Sequence, residues 1–311
     1  MRHLQKLITR SLALFWITGL VLTAPADSGN ENEMLAKYES FKQFRSTQSL
    51  PFMLESNDAG AVSHASVSYI LEDVPFGQFV SELAQVSEWC EFIPIHLNIK
   101  ACAYTEDEAN PILRFYVGVK TYLTPDKASL LKLSFDSGVE DTVFFITMTA
   151  KSGPYGSSNY NFQIHAIEVD EGIFLEFDLS SEPGVAASVA AIYFLTVARK
   201  KIGFSVGGKT WSGKVKYVGG QRGAAERNVV RYLLAIKAYF ETLDLPESVR
   251  FEQRIDRWFS ATEQYPKQLR EMSREAYISI KQRERANQEI LIAALRNNVL
   301  PVYEEEIEKN R

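Results

Sequence analysis

Residues that bind metals or form disulfides are scarce in this chain of 311 residues. It has two cysteines, Cys90 and Cys102, and four scattered histidines. Neither the C-x-x-C spacing of a zinc site nor the H-E-x-x-H spacing of a metalloprotease occurs. The nucleophile elbow of hydrolases is also missing. The sequence therefore predicts no metal, no cofactor and no assignable catalytic residue.

A surplus of basic residues is absent as well. The net charge is −5, with 46% hydrophobic and 23% charged residues, which is typical of a globular protein. Because nucleic-acid binders usually carry a basic surface, we predict no nucleic-acid partner. Beyond residue 26, no apolar run reaches the roughly 20 residues that span a bilayer.

The first 26 residues have the order of a secretory signal peptide. Basic residues at Arg2, Lys6 and Arg10 precede an apolar run, which ends at Ala24-Pro25-Ala26. We therefore expect the chain to be exported and to work in the periplasm or outside the cell after cleavage. An uncleaved N-terminal anchor is the alternative. An oxidising compartment would allow Cys90 and Cys102 to pair, although two buried free thiols fit the sequence equally well.

Four segments are predicted along the chain: a signal peptide at 1–26, a polar and helical segment at 27–50, a main domain at 51–245 and a helical extension at 246–311. In the main domain, a strand pair precedes a helix that begins near Pro75. From residue 91 onward the apolar residues alternate with a period of two, which indicates an antiparallel meander of five or six strands. Apolar periodicity predicts helices at 185–201 and 224–243.

The same alternation assigns polar residues to faces. His96 opposes Ile95 and Leu97, and His165 opposes Ile164, so both histidines are predicted at the surface or at a cavity rim. Glu176 and Asp178 are predicted on the outer face for the same reason. A polar group inside the domain would come from one of four candidates, although an exposed helix face explains the last two equally well: Arg114, Tyr116, Arg227 and Arg231.

Three stretches carry a resemblance to a known family. They are the strand Val67-Ser68-Tyr69-Ile70-Leu71, the helix start Asp73-Val74-Pro75-Phe76, and the turn Ser87-Glu88-Trp89-Cys90-Glu91-Phe92-Ile93-Pro94. With the helix at 224–243, they resemble the START-like or SRPBCC superfamily, which includes StAR-related lipid-transfer domains, Bet v 1-like proteins and polyketide cyclases. The resemblance implies an α+β helix-grip fold, a curved antiparallel sheet wrapped around a long C-terminal helix. The signal peptide, a glycine-rich segment at 204–223 and the helical extension depart from the family pattern.

The resemblance also implies a function. A lipid or other hydrophobic small molecule would lie in a cavity between sheet and helix. The alternative is that the same side chains pack against one another and fill the core, which leaves no cavity. The glycine-rich segment would cover the cavity as a lid that carries Trp211 and Tyr217, unless it is an ordinary surface hairpin. The ligand-binding candidates are Phe115, Val117, Phe135, Phe144, Ile146, Met148, Tyr160, Phe162, Leu175, Phe177, Trp211, Leu233 and Ile236.

Two further functions stay open. An enzyme of the cyclase or aromatase type would use the same cavity, but it would need a pair of polar groups inside. An exported interaction scaffold would have no ligand and would use the helical extension. We expect transient membrane contact for a carrier, and the apolar stripe of the C-terminal helices could dock a protein partner.

Overall fold

The computed structural model describes residues 31–57, 62–105, 111–182, 184 and 201–303. The predicted signal peptide at 1–26 lies outside these residues. Residues 185–200, which make up most of the predicted helix at 185–201, also lie outside them. Within the described part of the chain, no helix is long and apolar enough to cross a membrane.

One antiparallel sheet of eight strands dominates the structure, in the order β1-β2-β8-β7-β6-β5-β4-β3. The long strands β5 to β8 follow one another through tight turns, which confirms the predicted meander. Two short strands, β9 and β10, form a separate hairpin. The strands are β1 (Met53–Asn57), β2 (Ser63–Leu71), β3 (Ile99–Tyr104), β4 (Ile112–Val117), β5 (Ser129–Glu140), β6 (Val143–Ser152), β7 (Ser158–Val169), β8 (Gly172–Glu182), β9 (Val206–Lys209) and β10 (Val215–Tyr217).

The described helices are α1 (Glu31–Thr47), α2 (Phe76–Leu83), α3 (Val86–Phe92), α4 (Gly220–Phe240), α5 (Glu247–Glu263), α6 (Pro266–Leu269) and α7 (Arg274–Asn297). The long helix α4 packs on the inner face of the sheet, and its apolar side chains join one continuous core with the strands. Phe79 of α2 stacks on Phe240 of α4 with ring centroids 5.2 Å apart. This arrangement confirms the α+β helix-grip fold.

Helix α1 covers part of the outer face of the sheet. Met34, Tyr38 and Phe41 are buried against Ile167 and Phe174, whose side chains alternate away from the main core. This helix, Glu31–Thr47, lies within the segment at 27–50 that was predicted to be polar and helical. Both faces of the sheet are therefore apolar where α1 lies. The sequence pattern of the strands did not predict that a helix covers the outer face.

The C-terminal helices pack on the main domain. Trp258 of α5 and Tyr277 of α7 are buried and stack with centroids 5.1 Å apart. Helix α7 also lies along β3, where the Glu284 carboxylate accepts from Lys100 and Lys281. The helical extension therefore packs on the domain. Docking of a protein partner stays a prediction.

The prediction of strand-like alternation from residue 91 onward is wrong over its first residues. Pro94 lies in the first turn of a 3-10 segment at Ile93–Ile95, and β3 begins only at Ile99. The polar residues of this stretch are therefore not on a solvent face. Both His96 and Lys100 are buried, the latter beneath α7.

A disulfide joins Cys90 at the end of α3 to Cys102 in β3. The sequence left this bridge and a pair of free thiols equally open. The bridge ties the short helix to the strand on which α7 packs, and both cysteines are buried.

Candidate ligand-binding cavity

A cavity of about 210 Å³ lies between the N-terminal half of α4 and the sheet. It reaches from exposed Gln221 at its rim to buried Phe162 at its base. The lining residues are Ser63, His96, Asn98, Val117, Gly118, Leu131, Pro154, Tyr155, Ser157, Tyr160, Phe162, Leu179, Ser181, Gly184, Gln221, Ala224, Ala225, Asn228 and Tyr232.

The sequence of α4 explains why the space is there. Gln221, Ala224, Ala225, Asn228 and Tyr232 recur at the spacing of one helix face, and all five line the cavity. Two of them are alanines, which have short side chains. The following turns of the same helix carry larger apolar side chains that fill the core. The cavity is therefore a consequence of small residues at one end of the face that grips the sheet.

Aromatic rings form the inner wall. Phe162 stacks with Tyr160 at 6.2 Å between centroids and meets Tyr232 edge-on at 5.8 Å. The Tyr160 hydroxyl is 2.7 Å from Ser157 Oγ, which holds that ring at the rim. Burial raises the pKa of Tyr232, with a smaller contribution from Tyr160, so its phenol stays protonated. The wall offers flat apolar contact together with neutral hydroxyls.

His96 completes this wall, which corrects its predicted surface position. It is 1% exposed, and its ring stacks on Tyr232 with centroids 4.5 Å apart. Burial, reinforced by Arg231 and three lysines, holds the pKa of His96 well below its usual value, so the ring is neutral. The Asn98 backbone N–H donates to Nδ1, which places the remaining proton on Nε2.

The chemical character of the lining is uniform. Among the described residues that line the cavity there is no aspartate, glutamate, lysine or arginine, and the one histidine is neutral. Hydrogen-bonding capacity comes from amides and hydroxyls such as Asn228 and Tyr232. Since burying an ionised group without a charged partner is costly, the lining suits an uncharged molecule.

The predicted ligand-binding residues fall into three groups. Val117, Tyr160 and Phe162 line the cavity. Trp211 lies fully exposed in the turn of the β9–β10 hairpin, outside the lining. The others are buried in the main core without lining the cavity, and ligand binding by any member of the set stays a prediction: Phe115, Phe135, Phe144, Ile146, Met148, Leu175, Phe177, Leu233 and Ile236.

The polar candidates lie elsewhere. Arg227 and Arg231 are buried, so the exposed-face alternative is wrong, and neither lines the cavity. Arg231 donates to Glu271 at 2.7 Å, and Arg227 donates to the carbonyl oxygens of residues 201 and 202. Arg114 and Tyr116, on β4, are also absent from the lining. Arg231 therefore holds the C-terminal helices in place, and Arg227 holds the base of the hairpin.

The glycine-rich segment is a hairpin whose base is fixed to α4. Buried Glu226 accepts from the backbone N–H groups of Phe204 and Ser205 at 2.6 and 3.0 Å. The far end projects into solvent, with Trp211 and Val206 exposed. In this conformation the β9–β10 hairpin does not cover the cavity, which matches the surface-hairpin alternative and differs from a closed lid.

Sequence reasoning missed most of the lining, including Asn98, Asn228 and Tyr232. A signal was present in α4, where positions 221, 224, 225, 228 and 232 share one face. It was overlooked because that face carries mainly small or polar side chains, whereas a search for core residues selects large apolar side chains. The contribution of His96 could not be found, since it depends on the turn at Pro94.

Several solved structures are distantly similar to this chain. No protein-family model and no curated protein matches the chain. A START superfamily protein from Mycobacterium smegmatis is 14% identical over 44% of this chain and 88% of that one, with a TM-score of 0.29. Ara h 8.0201 is 15% identical over 45% of this chain and 90% of that one, with a TM-score of 0.30. Norcoclaurine synthase from Thalictrum flavum is 10% identical over 58% of this chain and 82% of that one, with a TM-score of 0.28.

The strand order and the gripped helix of this chain define an α+β helix-grip fold. With TM-scores below 0.5, the three similarities say nothing about its ligand or activity. A proposal about the ligand or the activity has to be argued from the cavity and the surface of this chain.

Proposed function

We propose that this chain is an exported binding protein that carries a small, uncharged, mainly apolar molecule in the cavity between α4 and the sheet. The observation that carries the proposal is the aromatic, charge-free lining described above. Export is supported by the signal-like order of residues 1–26.

The cavity volume sets the size of the ligand. An engineered protein cavity of about 150 Å³ holds one benzene molecule. At about 210 Å³, this cavity holds one or two rings, or the end of a longer chain that leaves through the rim. A complete lipid with two acyl chains is too large. The hydroxyls and amides of the wall favour a ligand with at least one hydrogen-bond acceptor.

A binding experiment with a matched control tests the cavity. The neutral naphthalene fluorophore acdan, which carries one carbonyl acceptor, serves as the probe. Ala225→Phe inserts a ring into the cavity, whereas Ala293→Phe makes the same change at an exposed position of α7. We expect saturable blue-shifted emission with the native chain and with Ala293→Phe, and affinity at least ~10-fold weaker with Ala225→Phe. Equal binding by all three, or no binding by the native chain, would refute the proposal.

A membrane is the source or destination that we propose for the ligand. The β9–β10 hairpin exposes Lys209, Lys214 and Lys216 beside Trp211. Residues 199–225 contain seven lysines and arginines and no acidic residue, within a chain of net charge −5. Lysines attract anionic headgroups, and an exposed indole suits the interface between headgroups and acyl chains.

The position of the hairpin links the membrane to the cavity. Only three residues separate Tyr217, the last residue of β10, from Gln221 at the cavity rim. Those four residue steps span at most ~14 Å. A hairpin resting on a bilayer would therefore hold the rim close to the headgroups, where a small apolar molecule can enter or leave.

Vesicle sedimentation tests this contact. Each of the three lysines contributes about 1 kcal/mol near an anionic surface, so their combined replacement by glutamine should weaken binding by about 100-fold. The control carries the same replacement at exposed Lys132, Lys151 and Lys267 and should bind normally. The vesicles contain phosphatidylcholine with or without phosphatidylglycerol. Binding that is independent of phosphatidylglycerol, or equal loss in both triple variants, would contradict the membrane proposal and leave the cavity proposal intact.

A further inference from the structure

A cluster of metal-ligating side chains lies on the outer face of the sheet, on the side opposite the cavity. His64 comes from β2, His165 from β7, and Glu176 and Asp178 from β8. These three strands are neighbours in the order β2-β8-β7. The cluster has no part in the cavity function proposed above.

The strand register brings the four side chains together. His165 lies directly opposite Glu176 in the β7–β8 pair. Ligand atoms of His165, Glu176 and Asp178 all lie within 4.8 Å of one another. His64 Nε2 is 3.2 Å from Asp178 Oδ1. Since each side chain is fixed to a strand in the interior of the sheet, the grouping is held by backbone hydrogen bonds.

We propose that His64, His165, Glu176 and Asp178 bind one divalent transition-metal ion of the Zn²⁺ type. Imidazole nitrogens and carboxylate oxygens bind such ions at about 2.0–2.2 Å. Donor atoms around a tetrahedral ion are then about 3.4 Å apart, so small side-chain rotations bring His165, Glu176 and Asp178 to these distances, and His64 joins from its position beside Asp178. Four protein ligands leave no open position, which is the pattern of a structural site.

The surrounding charges allow the ion to enter. Glu176 is buried at the edge of α1, where Lys37 Nζ lies 2.5 Å from its carboxylate. Lys37 also has a second acceptor, Glu33, at 3.1 Å on its own helix. A divalent ion would balance the charges of Glu176 and Asp178, and Lys37 could then pair with Glu33 alone. Lys37 is therefore a cation that competes with the metal.

Metal titration of the full chain, purified without a polyhistidine tag and treated with a chelator, tests the site. We expect stoichiometric Zn²⁺ binding by calorimetry and a rise in Tm of about 5 °C when zinc is in large excess over its Kd. Replacing zinc by Co²⁺ should give the visible absorption of a four-coordinate ion. The double variant His165→Ala with Asp178→Asn should lose all three signals.

Two further variants separate a metal site from a surface salt-bridge cluster. Asp136→Asn with Glu140→Gln removes two exposed carboxylates from β5 and should leave zinc binding unchanged. Lys37→Met removes the competing cation and should tighten zinc binding about tenfold. Absence of stoichiometric binding by the native chain, or binding that survives in the His165→Ala and Asp178→Asn double variant, would overturn the proposal.

Discussion

Replacing Glu284 by glutamine tests how the C-terminal helices are attached to the domain. Lys100 of β3 and Lys281 of α7 both donate to this carboxylate, at 2.9 and 2.7 Å. All three side chains are 1% exposed or less. Lys281 also donates to the carbonyl oxygens of His96 and Ile99, so the network fixes the turn that carries the His96 ring to the cavity wall.

The change should lower the free energy of unfolding by about 3–5 kcal/mol at neutral pH, because it leaves two buried ammonium groups without a counter-charge. Glu289→Gln is the matched control, since Glu289 is largely exposed and pairs with Arg285 of its own helix. That control should cost less than about 0.5 kcal/mol. Equilibrium unfolding in urea measures both. A loss below about 1 kcal/mol in Glu284→Gln would refute the inferred attachment of α7.

The pH dependence gives an independent check. Burial, opposed by Glu284 and assisted by Lys100, lowers the pKa of Lys281 to about 8. The unfolded side chain titrates near 10.4, so between these values the unfolded state holds a proton that the native state has released. Stability therefore rises with pH, by about 2 kcal/mol from pH 7 to about pH 9.5 for this group. Lys120, whose pKa is also lowered to about 8, acts in the same direction, so Lys281→Met should reduce the rise without abolishing it.

Three other changes have defined outcomes. Replacing Cys90 and Cys102 together by serine should cost about 3 kcal/mol in urea unfolding, because their bridge closes a short loop; a native chain whose stability is indifferent to reductant would contradict this. Phe174→Ala should cost about 3–5 kcal/mol and expose α1 to limited proteolysis, whereas unchanged cleavage would argue against its packing on the sheet. Gly172→Ala should cost about 1–3 kcal/mol, since φ is +132° and an added Cβ would lie 2.4 Å from the Leu71 carbonyl oxygen; a Tm equal to that of the native chain would contradict this strain.

The sheet was predictable because its pattern is local. Most positions in the strands from β4 to β8 alternate between apolar and polar residues, and short connections set the register of neighbouring strands. The amphipathic face of α4 was equally readable, and together they define a helix gripped by a sheet. The disulfide and the lengths of α1 and β5 needed the three-dimensional structure.

Other features depend on contacts between residues far apart in the chain. Lys100 reads as a solvent-facing strand residue until α7 covers it, and its partner Glu284 is 184 positions away. Glu176 faces outward as predicted, yet α1 buries it and supplies Lys37. Alternation within one strand assigns a face, but it does not show which helix later packs on that face.

The cavity was predictable in kind and missed in detail. Most of the apolar strand residues chosen as ligand contacts fill the core, because opposite them α4 carries large side chains such as Leu233 and Ile236. Space remains where α4 carries Ala224 and Ala225. A cavity is marked by small residues between large ones, so a search for large apolar side chains finds the packed part of the same interface.

Native mass spectrometry with solvent extraction, on protein purified from its natural host without refolding, tests the central claim most directly. The account predicts one small neutral molecule bound per chain, absent from Ala225→Phe and retained in Ala293→Phe. An empty native chain that also fails to bind acdan would contradict it. So would a charged molecule that is retained in Ala225→Phe, because the cavity would then not be the binding site.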